Sequence, residues 1–391
     1  MTMENQIKSR RYEFDWLRVL AFGLLIFYHT GMFFVPWEWH LKNNLLSDAI
    51  LLPMQFLSQW RMSLIFLVSG VGVYYALGYR TAGTFAKDRL KRILLPLFIG
   101  MLLVVPPQIY IERLIQGFQG NYFQFYPSIF AMEPYPKGNF SWHHLWYLTY
   151  IFCYSLLLLP LLIYLRHLQI KENAFTTCML IVAPALWLGV GAVFLNHQFP
   201  ATNALVDDWA NHFLYISVFL FGFLLMKMPA LQQKIRQVRY YSLGLAALTF
   251  TALTFFMKGR EYQELMQGQQ AVYYLLKSIN RWLWLLAILG LAMKHLNIKS
   301  KYLRRANEMV YPFYILHQTV IVMLGFYLRN EDWSISAKFG IISTGTFLLC
   351  FIIVQYVIMP VNWLRTPFGL APKKNASSVL PLLSTEQYSA R

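Results

Sequence analysis

The sequence predicts an all-α fold, a polytopic membrane helix bundle of about ten transmembrane helices with both termini in the cytoplasm. Three observations predict it. Hydrophobic residues fill 57% of the 391 positions and charged residues only 13%, a balance unlike that of soluble domains. The apolar residues come in blocks long enough to cross hydrocarbon. The net charge of +17 is also concentrated in alternate segments between blocks, which is the positive-inside pattern rather than a basic face for nucleic acid. A lipid bilayer is therefore the expected environment, specifically the cell inner membrane, and no nucleic-acid partner is expected.

In chain order the blocks fall at 16–36, 50–78, 93–112, 144–165, 175–195, 211–228, 242–257, 279–295, 309–328 and 338–358. Most Lys and Arg lie before the first block, in 79–92, 166–174, 227–241 and 294–308, and after the last. Residues 1–11 read as a cytoplasmic N-terminus, 12–365 as one integral-membrane domain, and 366–391 as a disordered cytoplasmic tail. The first block follows Lys8, Arg10 and Arg11 like a signal peptide, but it carries His29 and no evident small-residue cleavage site, so it is expected to be retained. Outside the membrane, 113–143 is aromatic and suits an interfacial belt or a platform for sugar rings. Segment 258–281, with Arg260, Glu261 and Glu264, suggests a short helix on the external surface. Cys153, Cys178 and Cys350 each sit inside an apolar block without the spacing of disulfide or zinc sites.

Ionisable residues inside hydrocarbon are costly and mark function or pairing. In the first helix these are Asp15, Arg18 and His29. Eleven residues at 100° bring Arg18 and His29 onto one face, about 16 Å apart, and Asp15 lies one turn before Arg18. Arg61 sits in the outer half of the second block and needs an anionic partner, either Glu112, Asp207 or a substrate carboxylate. Ser69, Gly70 and Gly72 form a small-residue face open to a helix or a thin ligand. Arg89 and Arg92, at i and i+3, can clamp a phosphate at the inner surface. His143 and His144 are adjacent and point about 100° apart, so they cannot share one ion, and no metal is expected. His317 lies inside the ninth block beside Gln318.

Taken in order, these segments resemble the membrane acyltransferase family 3. The resemblance rests on Phe14-Asp15-Trp16-Leu17-Arg18 with His29 after ten intervening residues, Phe66-Leu67-Val68-Ser69-Gly70, and Arg89 with Arg92. It extends to His144-Leu145-Trp146-Tyr147-Leu148 and Tyr311-Pro312-Phe313-Tyr314-Ile315-Leu316-His317-Gln318, and covers roughly residues 12–358. Arg61-Met62 and the Tyr-Pro-Phe-Tyr run look most like a branch that transfers succinyl groups to periplasmic glucans; other members acetylate cell-surface polysaccharides.

The resemblance implies an O-acyltransferase with no permanently bound cofactor. Acyl-CoA, as acetyl-CoA or succinyl-CoA, is the co-substrate, and the acceptor is a hydroxyl of a periplasmic or cell-surface glycan. It assigns His29 as general base, with Asp15, Arg18, Arg61, His144 and His317 around the reaction, and Arg89, Arg92, Ser69 and Gly70 on the coenzyme. A homodimer is compatible with it. Two other readings compete on the residues alone: a proton-coupled transporter or exporter using His29, Arg61 and His317, and a non-catalytic scaffold for glycan assembly.

Overall fold

A long apolar block with no water to satisfy its backbone has one local solution, the α-helix. The computed structural model describes residues 10–260 and 262–373. Among these, regular structure is helical apart from an isolated bridge between Pro134 and Phe140. The main helices are α1 (Tyr12–Met32), α2 (Leu51–Gly78), α3 (Ala82–Ile115), α4 (Trp146–Leu157), α5 (Leu159–His167) and α6 (Ala174–Leu195). They continue as α7 (Trp209–Leu225), α8 (Pro229–Phe256), α9 (Gln267–His295), α10 (Lys301–Leu328) and α11 (Ile335–Ile358).

Six of these, α2, α3, α6, α9, α10 and α11, are individually long and apolar enough to cross a membrane. Helices α4 and α5 meet at a bend of 59°, α7 and α8 at 109°, and each pair also passes as a unit. Helix α1 is long enough at 21 residues but carries Glu13, Asp15 and Arg18 in its first two turns. The bundle is therefore polytopic, and the expected blocks map onto helices whose ends extend beyond the apolar stretch. Helix α10 starts at Lys301 rather than 309, and α8 at Pro229 rather than 242.

Two expectations are corrected. The segment 258–281 is not a separate surface helix: after a short turn at Tyr262–Glu264, its second half is the start of α9. Glu261 lies outside the described residues. The tail does not begin loose at Thr366, because Phe368 and Leu370 pack against the core and Arg365 Nε donates to the Ala371 carbonyl at 2.6 Å. Residues 1–9 and 374–391 of the expected termini lie outside the described residues.

Prolines explain three local departures from the α-helix. Pro96, Pro106 and Pro360 each follow by two residues the end of a π turn, at Leu90–Leu94, Gly100–Val104 and Ile353–Ile358. A proline has no N–H and its ring presses on the carbonyl four residues back. Widening the preceding turn relieves the clash and reassigns the bonds. The N–H groups of Leu95, Val105 and Met359 accordingly donate five residues back, to Leu90, Gly100 and Val354.

Helix α2 is central. It packs on α7 along most of its length and also touches α1 and α9, while α10 packs on α1 and α11. Its approach to α7 depends on glycine from both sides. A Cβ on Gly70 would stand 2.0 Å from the Phe219 carbonyl oxygen, and one on Gly222 would stand 2.0 Å from that of Leu67. Neither neighbour is a side chain that can swing away, so the helices must part. Gly70→Ala and Gly222→Ala are each expected to cost about 1–3 kcal/mol, read as a lower melting temperature in detergent. Gly244→Ala, with nothing within 4 Å, is the neutral comparison.

Buried lysines tie down the connections. Lys227 Nζ donates to the carbonyls of Leu165, Arg166 and Leu168 at 2.5–2.8 Å, capping α5. Lys338, fully buried, donates to Asn43 and Asn44 at 2.8 and 3.2 Å and so links the α1–α2 connection to α11.

Candidate active site

Four elements bring ionisable side chains to one place within the bundle. His29 comes from the last turn of α1, Arg61 from α2, His144 from a short turn before α4 (His143–Leu145), and His317 from α10. His144, Arg61 and His317 are buried, and His29 is half-buried. They surround a cavity of about 340 Å³, whose wall includes His29, Arg61, His144, Tyr147 and Tyr314; His317 supports it from behind.

Backbone carbonyls set the histidine tautomers. His317 Nδ1 is 2.7 Å from the Tyr314 carbonyl oxygen, so it must carry the proton and donate. A neutral His317 is then an acceptor at Nε2, which lies 2.8 Å from His29 Nδ1. His29 therefore donates from Nδ1, and its Nε2 carries the lone pair. The same reasoning makes His144 a donor from Nε2 to the Ile315 carbonyl at 2.9 Å. Gln108 Nε2 stands 3.5 Å from the remaining His144 nitrogen and donates to Thr319 at 2.7 Å, while Gln318 Nε2 donates to Gln108 Oε1 at 3.0 Å. His29 is thus the member of the trio left with an uncommitted basic nitrogen.

Arg61 is more exceptional. Its guanidinium carbon lies 3.4 Å from the centroid of the Tyr28 ring, and both Nε and Nη1 are buried without a partner. Neither acid proposed from the sequence reaches it. Glu112 is bonded to His40 and Tyr135, and Asp207 is exposed on the α6–α7 connection. A second arginine, Arg281 of α9, lies nearby. Its Nε donates to the Gln59 carbonyl at 2.8 Å, and both guanidiniums act on the buried Tyr215 between them. Arg281 was missed in the sequence, although the test applied to Arg61, a guanidinium within an apolar helix, would have found it.

A smaller cavity of about 190 Å³ lies toward Arg18 and shares Phe22 and Ile65 with the first. Arg18 and His29 therefore line two neighbouring cavities, on the face that their spacing predicts. Arg18 Nη1 donates to Asn307 Oδ1 at 3.3 Å, and Asn307 in turn donates to Asp15 Oδ1 at 3.0 Å. Asp15 is closer to Arg10, at 2.7 Å, than to Arg18, at 3.9 Å. Ser69 faces the smaller cavity, donates to the Ile65 carbonyl at 2.7 Å, and accepts from Tyr147 at 2.6 Å.

The expected coenzyme residues separate. Gly70 is taken up by the contact with α7 and is a packing residue, because the Phe219 backbone occupies the space beside it. Arg89 turns inward: its guanidinium stacks 4.5 Å from the Phe85 centroid, its Nε is buried without a partner, and it acts on Tyr147 and Tyr311. Arg92 is exposed. The π turn at Leu90–Leu94 changes the angle between them, so they do not share one face as an ideal α-helix would have it.

Beyond this centre, His40, Glu112 and His143 bring one ligand atom each to within 4.8 Å of one another. His40 Nδ1 lies 2.9 Å from Glu112 Oε2, and the two imidazoles stack 4.3 Å apart. Tyr135 donates to the other Glu112 oxygen at 2.9 Å, and burial with the nearby carboxylate pushes its hydroxyl up to about 12. It therefore stays a donor at neutral pH. Within the aromatic segment, Phe118, Tyr122 and Phe125 pack together on Tyr110, while Phe123 and Phe130 remain exposed.

Comparison with known proteins adds a family. The profile of the family described as an acyltransferase domain matches residues 11–355. Proteins called glucans biosynthesis protein C from Salmonella paratyphi B (strain ATCC BAA-1250 / SPB7) and Salmonella enteritidis PT4 (strain P125109) are each 21% identical over 334 residues. The matches cover 82% of this chain and 84% of each relative. No solved structure matches the chain.

Proposed function

From the premise that this multi-pass membrane protein belongs to the membrane acyltransferase family, we propose that it moves an acyl group from cytoplasmic acyl-CoA to a hydroxyl of a glycan outside the inner membrane. The observation that carries the reading is the pair of neighbouring cavities along α1, one lined by Arg18 and the other by His29, whose Nε2 is unshared. A thioester on a pantetheine arm would follow that face only as the helices part, since the space as it stands holds no more than a few waters. Its phosphates belong at the arginine-rich end, beside Arg89, whose buried Nε lacks a partner, and the exposed Arg92.

In the proposed reaction His29 Nε2 takes the proton of the acceptor hydroxyl as its oxygen attacks the thioester carbon. The carbon–sulfur bond then breaks, and the coenzyme thiolate recovers the proton from His29. His317 holds His29 in the productive tautomer, and His144 closes the wall behind it. Arg61 neutralises negative charge in the cavity, either the developing oxyanion or the free carboxylate of a succinyl donor. The second fits better, since a full anion is what an unpaired buried guanidinium requires. None of the three cysteines lines either cavity, so direct transfer is preferred to a cysteinyl intermediate. An open groove of mixed character, lined in part by Trp37, Gln55, Gln59, Tyr262, Tyr273 and Lys277, offers the acceptor sugar rings to stack on and hydroxyl partners.

The relatives' name refers to glucan biosynthesis, which favours a glucan acceptor and, with Arg61, a succinyl group. Calorimetric titration of the detergent-purified protein with acetyl-, succinyl- and free coenzyme A tests the donor side. Saturable binding is expected, weakened at least about tenfold by Arg89→Ala and less by Arg92→Ala. A folded sample that binds no thioester would replace this reading with the transporter.

A further inference from the structure

We propose that His40, Glu112 and His143 form a binding site for a divalent transition-metal ion, with zinc the best match. Two imidazoles and one carboxylate are a donor set that zinc favours, and three protein ligands leave a fourth position for an exchangeable oxygen. The three residues come from the α1–α2 connection, the last turns of α3, and the turn before α4, so only the folded chain assembles them. This site is separate from the His29 trio, and the proposal does not depend on the reaction assigned there.

Two observations beyond proximity point to a ligand. His143 Nε2 is buried with no partner, while its Nδ1 is held by Ser141 Oγ at 2.7 Å. With Nδ1–H donating to Ser141 Oγ, the other nitrogen presents an unused lone pair, the arrangement of a metal-bound histidine. Glu112 is likewise braced: Tyr135 and Gln116 donate to Oε1 at 2.9 and 3.2 Å, leaving Oε2 to the His40 side. Ligand atoms within 4.8 Å must close to about 3.5 Å around an ion with bonds near 2.1 Å. A small rotation of the stacked His40 and His143 rings supplies that movement.

Two charged side chains neighbour the site. Arg113 is the unfavourable one, but its guanidinium is held by Asn139, Gln116 and the carbonyls of Pro136 and Gly138 at 2.6–3.0 Å. Glu38 adds negative charge close to Tyr135.

The test uses the full chain in detergent, stripped with chelator and titrated with zinc against a chromophoric competitor. Cobalt is titrated in parallel and read by its visible absorption. One ion per chain is expected, with cobalt bands of tetrahedral character. His143→Ala and Glu112→Gln should each weaken binding at least about tenfold, and the exposed His197→Ala should not. Zinc should also raise the melting temperature of the wild-type protein but not that of Glu112→Gln. That variant keeps the shape of the side chain, so it carries the test if His143→Ala fails to fold. Absence of a stoichiometric ion in folded wild-type protein, or equal affinity in wild type and Glu112→Gln, would overturn the proposal; the latter means an adventitious ion only.

Discussion

Replacing His29 with Ala is expected to lower turnover roughly 10²–10⁴-fold while the protein still inserts and purifies as a single species. The expectation follows from the direction of the hydrogen bonds. The Tyr314 carbonyl can only accept, which forces the proton onto His317 Nδ1 and the lone pair onto Nε2, and that lone pair accepts from His29 Nδ1. His29 Nε2 is what remains to receive a proton in the cavity. His29→Gln preserves a polar group beside His317 but cannot take a proton, so it should be nearly as inactive. His317→Gln should lose less, because it removes the tautomer lock and not the base. The measurement is acyl transfer from labelled acyl-CoA by reconstituted protein. Turnover retained in His29→Ala would remove the base from this position.

The second large effect is expected at Arg61. Arg61→Met deletes a guanidinium with two partnerless buried nitrogens and no acid within reach, so the empty protein should tolerate the loss and gain stability. With a succinyl donor, the lost charge-assisted contact is expected to cost about 2–5 kcal/mol, a fall in kcat/KM of roughly 30-fold or more. With an acetyl donor the fall should be much smaller. Steady-state kinetics with the two thioesters separates the roles: equal losses on both would assign Arg61 to the oxyanion instead of the carboxylate.

Much of this centre was legible along single helices. The eleven-residue step from Arg18 to His29 is a statement about one helix, and helical phase places each of them in the wall of a neighbouring cavity. Depth along α2 marked Arg61 in the same way, since a guanidinium there has no route to water. What could not be read was which side chains meet across helices. Nothing in the sequence near His40, in a connection without periodicity, says that it stacks on His143, and nothing near Glu112 says that it answers Tyr135 rather than Arg61. The Arg89 and Arg92 pair shows a different limit. Their spacing is right for an α-helix, but Pro96 widens the turn that holds them, and i, i+3 no longer means one face. Gly70 shows a third, because a glycine looks the same whether a ligand or another helix comes close.

The carbonyl of Tyr314 closes the inner end of the His29–His317 pair. A proton that reaches His29 can move across to His317, but the next atom along that path is an amide oxygen in a helix, which holds no proton at neutral pH. The path is a cul-de-sac. Whatever proton the acceptor surrenders must leave through the cavity in which it was released, on the departing sulfur. With an acetyl donor each catalytic cycle is then electrically silent and its rate indifferent to the membrane potential, whereas with a succinyl donor the free carboxylate carries one negative charge outward per cycle and transfer should quicken as the inside becomes more negative.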